Sequence, residues 1–189
     1  MNNSYKHLFS GFLLVMLDIN IGSFDILPDV VGYLLVWSGL GELRSNTKIP
    51  SFRVARGLSI VLAIGAAFEI VKGTFGLVHL SAFISYAVTI FGGLSGLLLV
   101  VCIYHGMTTH MMILEEISLS NRFGNENKRF AVIQGLSLIA MSFSLNMPKD
   151  GSGTYMVALL AVSIIMHARL LVNLNYVKKL LIIDETKGS

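Results

Sequence analysis

The sequence predicts an all-α membrane protein, a polytopic bundle of about six transmembrane helices. Hydrophobic residues make up 54% of its 189 residues, charged residues 13%, and the mean hydropathy is +0.73. That composition is far more apolar than a soluble domain of this length. The charged residues gather between apolar segments, and about 20 helical residues cross roughly 30 Å of hydrocarbon. We predict one integral membrane domain, residues 1–189, with helices at about 6–22, 26–43, 54–72, 80–104, 130–147 and 154–176.

The first two helices are expected to form a hairpin with an acidic turn. Residues 8–43 are almost continuously apolar and are broken once, at residues 22–29. Asp25 is suited to cap the second helix, because its side chain accepts hydrogen bonds from the free N–H groups there. Pro28 then falls in the first turn, where its missing N–H costs nothing. Since both helices are short, a re-entrant hairpin remains the alternative to two full crossings.

Positive charge predicts the orientation. If both termini are cytoplasmic, twelve of the fourteen Lys and Arg residues lie inside, and only Lys72 and Lys149 lie outside. This asymmetry favours the orientation with both termini in the cytoplasm. The basic residues form no continuous patch in the sequence, so we expect no nucleic-acid partner.

Turn residues predict where the helices are interrupted. Polar residues at 45–50 and a Pro- and Gly-containing stretch at 148–153 indicate two loops. The segment from His105 through Ser120 is expected either to continue the fourth helix into the cytoplasm or to lie along the membrane interface. The chain is then expected to break over residues 121–128, which include Gly124.

Small residues at four-residue spacing predict close helix packing. Ser59, Ala63 and Ala67 form such a row on the third helix, and Gly92 with Gly96 forms another on the fourth. In lipid, rows of this kind let helix backbones approach and gain dispersion contacts.

Four carboxylates define the candidate binding site: Asp18, Asp25, Asp29 and Glu69. All four are expected near one side of the membrane, where ionisable groups at depth suit a cation or a cationic solute. The alternative is structural. Asp25 and Asp29 would then be helix-start residues, and Glu69 would pair with Lys72.

No metal or cofactor is expected. His105 and His110 have methionines nearby, but a separation of five residues turns them about 140° apart on a helix. Cys102 is the only cysteine, so it can form neither an internal disulfide nor a thiolate cluster.

The segment from Phe24 to Leu35, with the sequence Phe-Asp-Ile-Leu-Pro-Asp-Val-Val-Gly-Tyr-Leu-Leu, resembles a known signature. It is similar to that of a family of small, uncharacterised multi-pass proteins of Gram-positive bacteria, in which an Asp-Ile-Leu-Pro-Asp turn leads into a Gly-Tyr helix. The likeness covers residues 17–43 and implies a plasma membrane location, but no activity.

A second resemblance concerns catalysis. Residues 93–96, Gly-Leu-Ser-Gly, match the serine motif of rhomboid intramembrane proteases, and His167 lies on the predicted sixth helix as the histidine does in that family. The family's Trp-Arg pair in the first loop and its His-x-x-x-Asn motif on the second helix are absent. We therefore expect no enzyme, with a rhomboid-like protease as the third hypothesis.

Two non-enzymatic functions remain. The first is a transport-type subunit that binds a small solute or cation, similar in size and helix count to the substrate-capture subunits of energy-coupling-factor transporters. The second is an accessory or immunity-type protein that acts through other membrane subunits, with the acidic turn as its docking surface. A binding site requires Asp18 or Glu69 to face a cavity between helices, whereas docking requires only exposed Asp25 and Asp29.

Overall fold

The protein is all-α, as predicted, and its computed structural model describes residues 2–17, 28–75, 82–143 and 149–187. Within those residues there are six helices, which is the predicted number. They are α1 (Asn2–Met16), α2 (Pro28–Thr47), α3 (Pro50–Phe75), α4 (Ala82–Ile113), α5 (Ile117–Phe143) and α6 (Lys149–Lys187).

The six helices close into a ring. Each helix packs against the next one in the chain, and α1 also packs against α6. One end of the ring holds the start of α1, the end of α6, and the α2–α3 and α4–α5 connections. We call it the basic end, because most of the Lys and Arg residues lie on these parts of the helices. We call the opposite end, where Asp29 and Glu69 lie, the acidic end.

The prediction of six membrane spans is wrong, because fewer than six of the described helices have the length and composition that a membrane crossing requires. Three helical segments in the described residues are long and apolar enough to cross a membrane: Pro50–Val71, Ala87–Ile113 and Val157–Ile182. Helix α1 has only 15 residues, fewer than the roughly 20 that a crossing needs. Helix α2 contains Glu42 and Arg44, and the first half of α5 is charged, so neither has sufficient hydropathy.

The second half of α5 nevertheless has a face suited to hydrocarbon. Val132, Leu136, Ile139 and Phe143 recur every three or four residues, and all four side chains are exposed. This spacing places them on one stripe of the helix, pointing out of the ring. The predicted helix 130–147 therefore corresponds to the apolar part of a longer, half-charged helix.

The hydrophobic core fills only the half of the ring nearer the basic end. Tyr5, Phe52, Phe123 and Phe130 are fully or almost fully buried there. The ring of Phe52 lies against Gly106, where any side chain on α4 would collide with it. In the described part of the acidic half, residues 64–71, 87–94, 131–143 and 157–165 include no buried side chain.

Hydrogen bonds between helices strengthen this packed half. The Tyr5 hydroxyl and His110 Nδ1 are 2.8 Å apart, and burial raises the pKa of Tyr5, so its hydroxyl keeps its proton. The Ser4 hydroxyl donates to Glu42 at 2.8 Å, which ties α1 to α2. Arg169 donates to Glu126 at 3.0 Å and ties α6 to α5. Each bond satisfies a polar group that burial would otherwise penalise.

The predicted break around Gly124 is wrong, because α5 runs through it. The interruption lies earlier, where α4 ends in a Schellman motif. Glu115 adopts a left-handed conformation (φ 61°), its N–H donates to the Met112 carbonyl, and the N–H of Glu116 donates to the Met111 carbonyl. Burial of Leu119, Phe123 and Phe130 along α5 outweighs a helix penalty of about 1 kcal/mol for Gly124.

Helices extend into both of the loops predicted from turn residues. Helix α2 continues to Thr47, which leaves only residues 48–49 between it and Pro50 at the start of α3. Helix α6 already begins at Lys149, so residues 149–153 are helical instead of a turn. The penalty of about 1 kcal/mol per glycine is too small by itself to prevent helix formation there.

Close backbone packing occurs between α1 and α2, although the rows of small residues were predicted on the third and fourth helices. A Cβ atom on Gly11 would lie 2.5 Å from the Gly32 carbonyl oxygen, and one on Gly39 would lie 2.6 Å from the Ser4 carbonyl oxygen. The predicted row at Gly92 and Gly96 is wrong, because both glycines face open space. On α3, Ser59 and Ala63 are buried.

We therefore expect Gly11→Ala to destabilise the protein. The added methyl group forces α1 away from the α2 backbone, at a cost of about 1–3 kcal/mol. Thermal unfolding of the detergent-purified variant measures the effect. Gly57→Ala is the matched control, since Gly57 is exposed and has open space at its Cβ position. Equal melting temperatures for the two variants would contradict this description of the α1–α2 contact.

Candidate functional site

A cavity of about 510 Å³ lies among α2, α3, α4, α5 and α6, which all contribute lining residues. It occupies the part of the ring that the hydrophobic core leaves unfilled. Leu62, Leu97 and Phe130, at the edge of the packed half, line it on one side. We call it the acidic cavity, because its lining includes the carboxylates of Asp29 and Glu69. Its polar lining residues are Asp29, Tyr33, Glu69, Thr89, Ser95, Gln134, Ser163 and His167.

Two of the four predicted carboxylates line the acidic cavity. Asp29 is half-buried in the first turn of α2, where the positive end of the helix dipole favours its charge. Glu69 is exposed and lies six residues before the end of α3. The structure thus brings together two residues 40 positions apart in the chain. Asp18 and Asp25 lie outside the described residues.

Glycines on α4 provide the space for the cavity. Gly92 and Gly96 line it, and a Cβ atom on either residue would meet nothing within 4 Å. Their spacing places them on the same face of α4 as Ser95. Gly92 and Gly96, which the sequence predicted to pack against another helix, therefore leave open space on the cavity side of α4.

Polar side chains from α5 and α6 meet at the inner side of the cavity. The Gln134 amide nitrogen donates to the Ser163 hydroxyl at 3.0 Å. The Gln134 carbonyl oxygen, Oε1, is buried and accepts no hydrogen bond from the described residues. Because a buried acceptor without a partner is costly, this atom is a candidate contact for a ligand that carries a donor.

The tautomer of His167 follows from its contacts. Its Nδ1 lies 2.8 Å from the Ser163 carbonyl oxygen, which can only accept, so Nδ1 carries the proton. In the neutral ring, Nε2 is then an acceptor. The ring packs edge-on against Phe130, with centroids 5.6 Å apart and planes at 81°. His167 thereby adds a second acceptor to the lining.

The cavity therefore combines apolar walls with hydrogen-bond acceptors. Carboxylates at Asp29 and Glu69, Oε1 of Gln134 and Nε2 of His167 all accept hydrogen bonds or attract positive charge. Its described lining residues include no lysine or arginine. A solute with an apolar body and one or more N–H donors complements this arrangement.

The same cavity contains both members of the rhomboid-like pair. Ser95 is buried and His167 lines the wall formed by α6. Nucleophilic catalysis requires the serine hydroxyl and the histidine nitrogen within hydrogen-bonding reach. The hydrogen bonds described for His167 instead join its Nδ1 to Ser163, at 2.8 Å to the carbonyl and 3.5 Å to the hydroxyl.

The histidines near the end of α4 lie on different faces. His110 is buried against Tyr5, with the two rings stacked and their centroids 6.0 Å apart, whereas His105 is exposed. Within the described ranges, no group of three or more His, Cys, Asp or Glu residues is arranged to hold a metal ion.

Sequence reasoning did not find Tyr33, Gln134 or Ser163. Gln134 and Ser163 each stand as a polar residue in an apolar segment, which is a signal for function in a membrane helix. That signal gives no partner, because α5 and α6 meet only in the folded ring.

Comparison of the chain with protein-family models, with curated proteins and with solved structures finds no match to any of the three.

Proposed function

We propose that the protein is a small membrane subunit that binds an organic cation, a protonated amine with an apolar body, in the acidic cavity. The observation that carries the proposal is the presence of Asp29 and Glu69 on the lining of one cavity between five helices. A cation that leaves water needs such carboxylates to offset its desolvation. The apolar walls then contribute affinity by excluding water from the body of the ligand.

The contacts within the cavity support a transport-type site over a docking surface. A docking role requires only exposed acidic side chains, whereas Asp29 is half-buried and lines a cavity that also contains Gln134 and His167. Acceptors at two separated positions can orient a ligand, with its ammonium group at one and a second donor at the other. An accessory or immunity-type role through protein partners is the alternative outcome of the experiments below.

The proposed location is the plasma membrane, with both termini in the cytoplasm. The basic end of the ring would then face the cytoplasm, in keeping with the positive-inside rule. The acidic end, which carries Asp29 and Glu69, would face outward. This orientation suits capture of a solute from outside the cell.

A panel of amines and quaternary ammonium compounds tests the proposal by thermal unfolding of the detergent-purified protein. A ligand at 100 times its Kd stabilises by about 2.7 kcal/mol, or roughly 5 °C or more. We expect Asp29→Asn and Glu69→Gln each to reduce this shift strongly. The neutral substitution removes charge while keeping side-chain size.

Glu115→Gln is the control for that experiment, because Glu115 is an exposed carboxylate on the α4–α5 connection and does not line the cavity. It should retain the full shift. A panel that stabilises neither the wild type nor any variant would reject the proposal and favour action through protein partners.

Filling the cavity provides a second test. Gly96→Leu places an apolar side chain in the open space beside α4, so we expect ligand-induced stabilisation to disappear while the protein stays folded. Gly57→Leu is the matched control, since it adds the same side chain at an exposed position. A ligand response that survives Gly96→Leu unchanged would assign the ligand to another site.

A further inference from the structure

A second cavity, of about 590 Å³, lies at the basic end beside the α2–α3 connection. Four cationic side chains line it: Arg44 on α2, Lys48 in the connection, and Arg53 and Arg56 on α3. Its described lining includes no aspartate or glutamate. We call it the basic cavity. Four positive charges around one space repel each other, and an anion between them relieves that repulsion.

Arg56 is held in place by its surroundings. Its guanidinium carbon lies 4.3 Å from the centre of the Trp37 ring, in a cation–π contact. Gly41 makes room for it, since a Cβ atom there would be 3.2 Å from that carbon. The Nε atom of Arg56 is buried and donates to no acceptor in the described residues. A fixed guanidinium with an unused donor is suited to bind an oxyanion.

The nearest carboxylate on α2 is engaged elsewhere. Glu42 accepts a hydrogen bond from Ser4 at 2.8 Å, and its other oxygen lies 3.6 Å from His7 Nδ1. Both partners are on α1, which contributes no described lining residue to the basic cavity. Glu42 is therefore bound to α1, and the described lining residues of the basic cavity include no carboxylate as a counter-charge for the four cations.

The basic cavity also lies at one end of a segment long and apolar enough to cross a membrane, which is where lipid headgroups lie when such a segment crosses a bilayer. Pro50, one of its lining residues, is the first residue of the apolar span Pro50–Val71. The N–H groups at the start of α3 are oriented toward this end and favour negative charge. Lys48 directly follows α2 and has a left-handed backbone conformation (φ 57°), which glycine most often adopts at the end of a helix.

We propose that the basic cavity binds a phosphate-bearing anion, either the headgroup of an anionic phospholipid or a soluble phosphate ester. Phosphate oxygens match the paired donors of arginine, and two or more guanidinium groups can share one phosphate. This inference does not depend on the amine site, because the two cavities have no lining residue in common.

The experiment is thermal unfolding of the full-length protein in a neutral detergent and a phosphate-free buffer. One arm titrates inorganic phosphate and glycerol 3-phosphate. The other titrates phosphatidylglycerol, with phosphatidylcholine as the zwitterionic comparison of zero net charge. Each cation near an anionic headgroup contributes about fivefold in affinity, so Arg44→Gln/Arg53→Gln should weaken binding about 30-fold.

Two further variants make the result specific. Lys128→Gln/Lys179→Gln removes the same charge from exposed positions outside the cavity and should keep wild-type affinity. Arg53→Gln alone removes one charge at an exposed position and should weaken binding about fivefold. This single variant tests the proposal even where the double variant does not fold.

The two arms distinguish the sources of phosphate. If phosphatidylglycerol alone raises the melting temperature, the cavity binds a lipid. If only the soluble phosphates raise it, the cavity binds a phosphate ester. If both raise it, the phosphate group is sufficient for binding. The proposal is overturned if no probe stabilises the wild type, or if the Arg44→Gln/Arg53→Gln and Lys128→Gln/Lys179→Gln variants respond equally.

Discussion

The packing of all six helices around the basic end is the constraint on which the rest of the structure depends. Buried aromatic side chains such as Tyr5 and Phe123, the Phe52–Gly106 contact and hydrogen bonds such as that of Tyr5 with His110 hold this half together. Close packing of this kind resists small changes of volume. Once the helices are joined at one end, their opposite halves need not meet, and in the described acidic half the side chains of α3, α4 and α5 remain outside the core.

The acidic cavity follows from this uneven packing. It begins at the edge of the core, at Leu62 and Phe130, and reaches the carboxylates of Asp29 and Glu69. Gly92 and Gly96 leave open space beside α4. The packed half supplies the rigidity with which a binding site holds its residues, and the unfilled half supplies the space. Such a division between support and site is common where polar groups must be accessible within a membrane protein.

Composition and hydropathy alone predicted the helical class and the number of helices, because the apolar segments are long and clearly separated. They overestimated the number of spans, since α5 is apolar in only one half and α1 is short. The break at Gly124 was misplaced, because tertiary burial of Phe123 and Phe130 outweighs the local preference of glycine. Among the site residues, Asp29 and Glu69 could be found as charges near helix ends. Gln134 and His167 could not be assigned to the same cavity, because only the packing of α5 against α6 brings them together.

Accessibility of the acidic cavity to cations tests the central claim most directly. In a Cys102→Ser background, Gly92→Cys introduces a thiol on the cavity wall, and Val132→Cys introduces one on the outward stripe of α5. We predict that a cationic thiosulfonate labels the first position faster than an anionic one of equal size, and that this preference falls about tenfold with Asp29→Asn/Glu69→Gln. Labelling at Val132→Cys should show no such dependence. Failure of both reagents to label Gly92→Cys, or an equal preference with and without the two carboxylates, would contradict a cation-binding cavity.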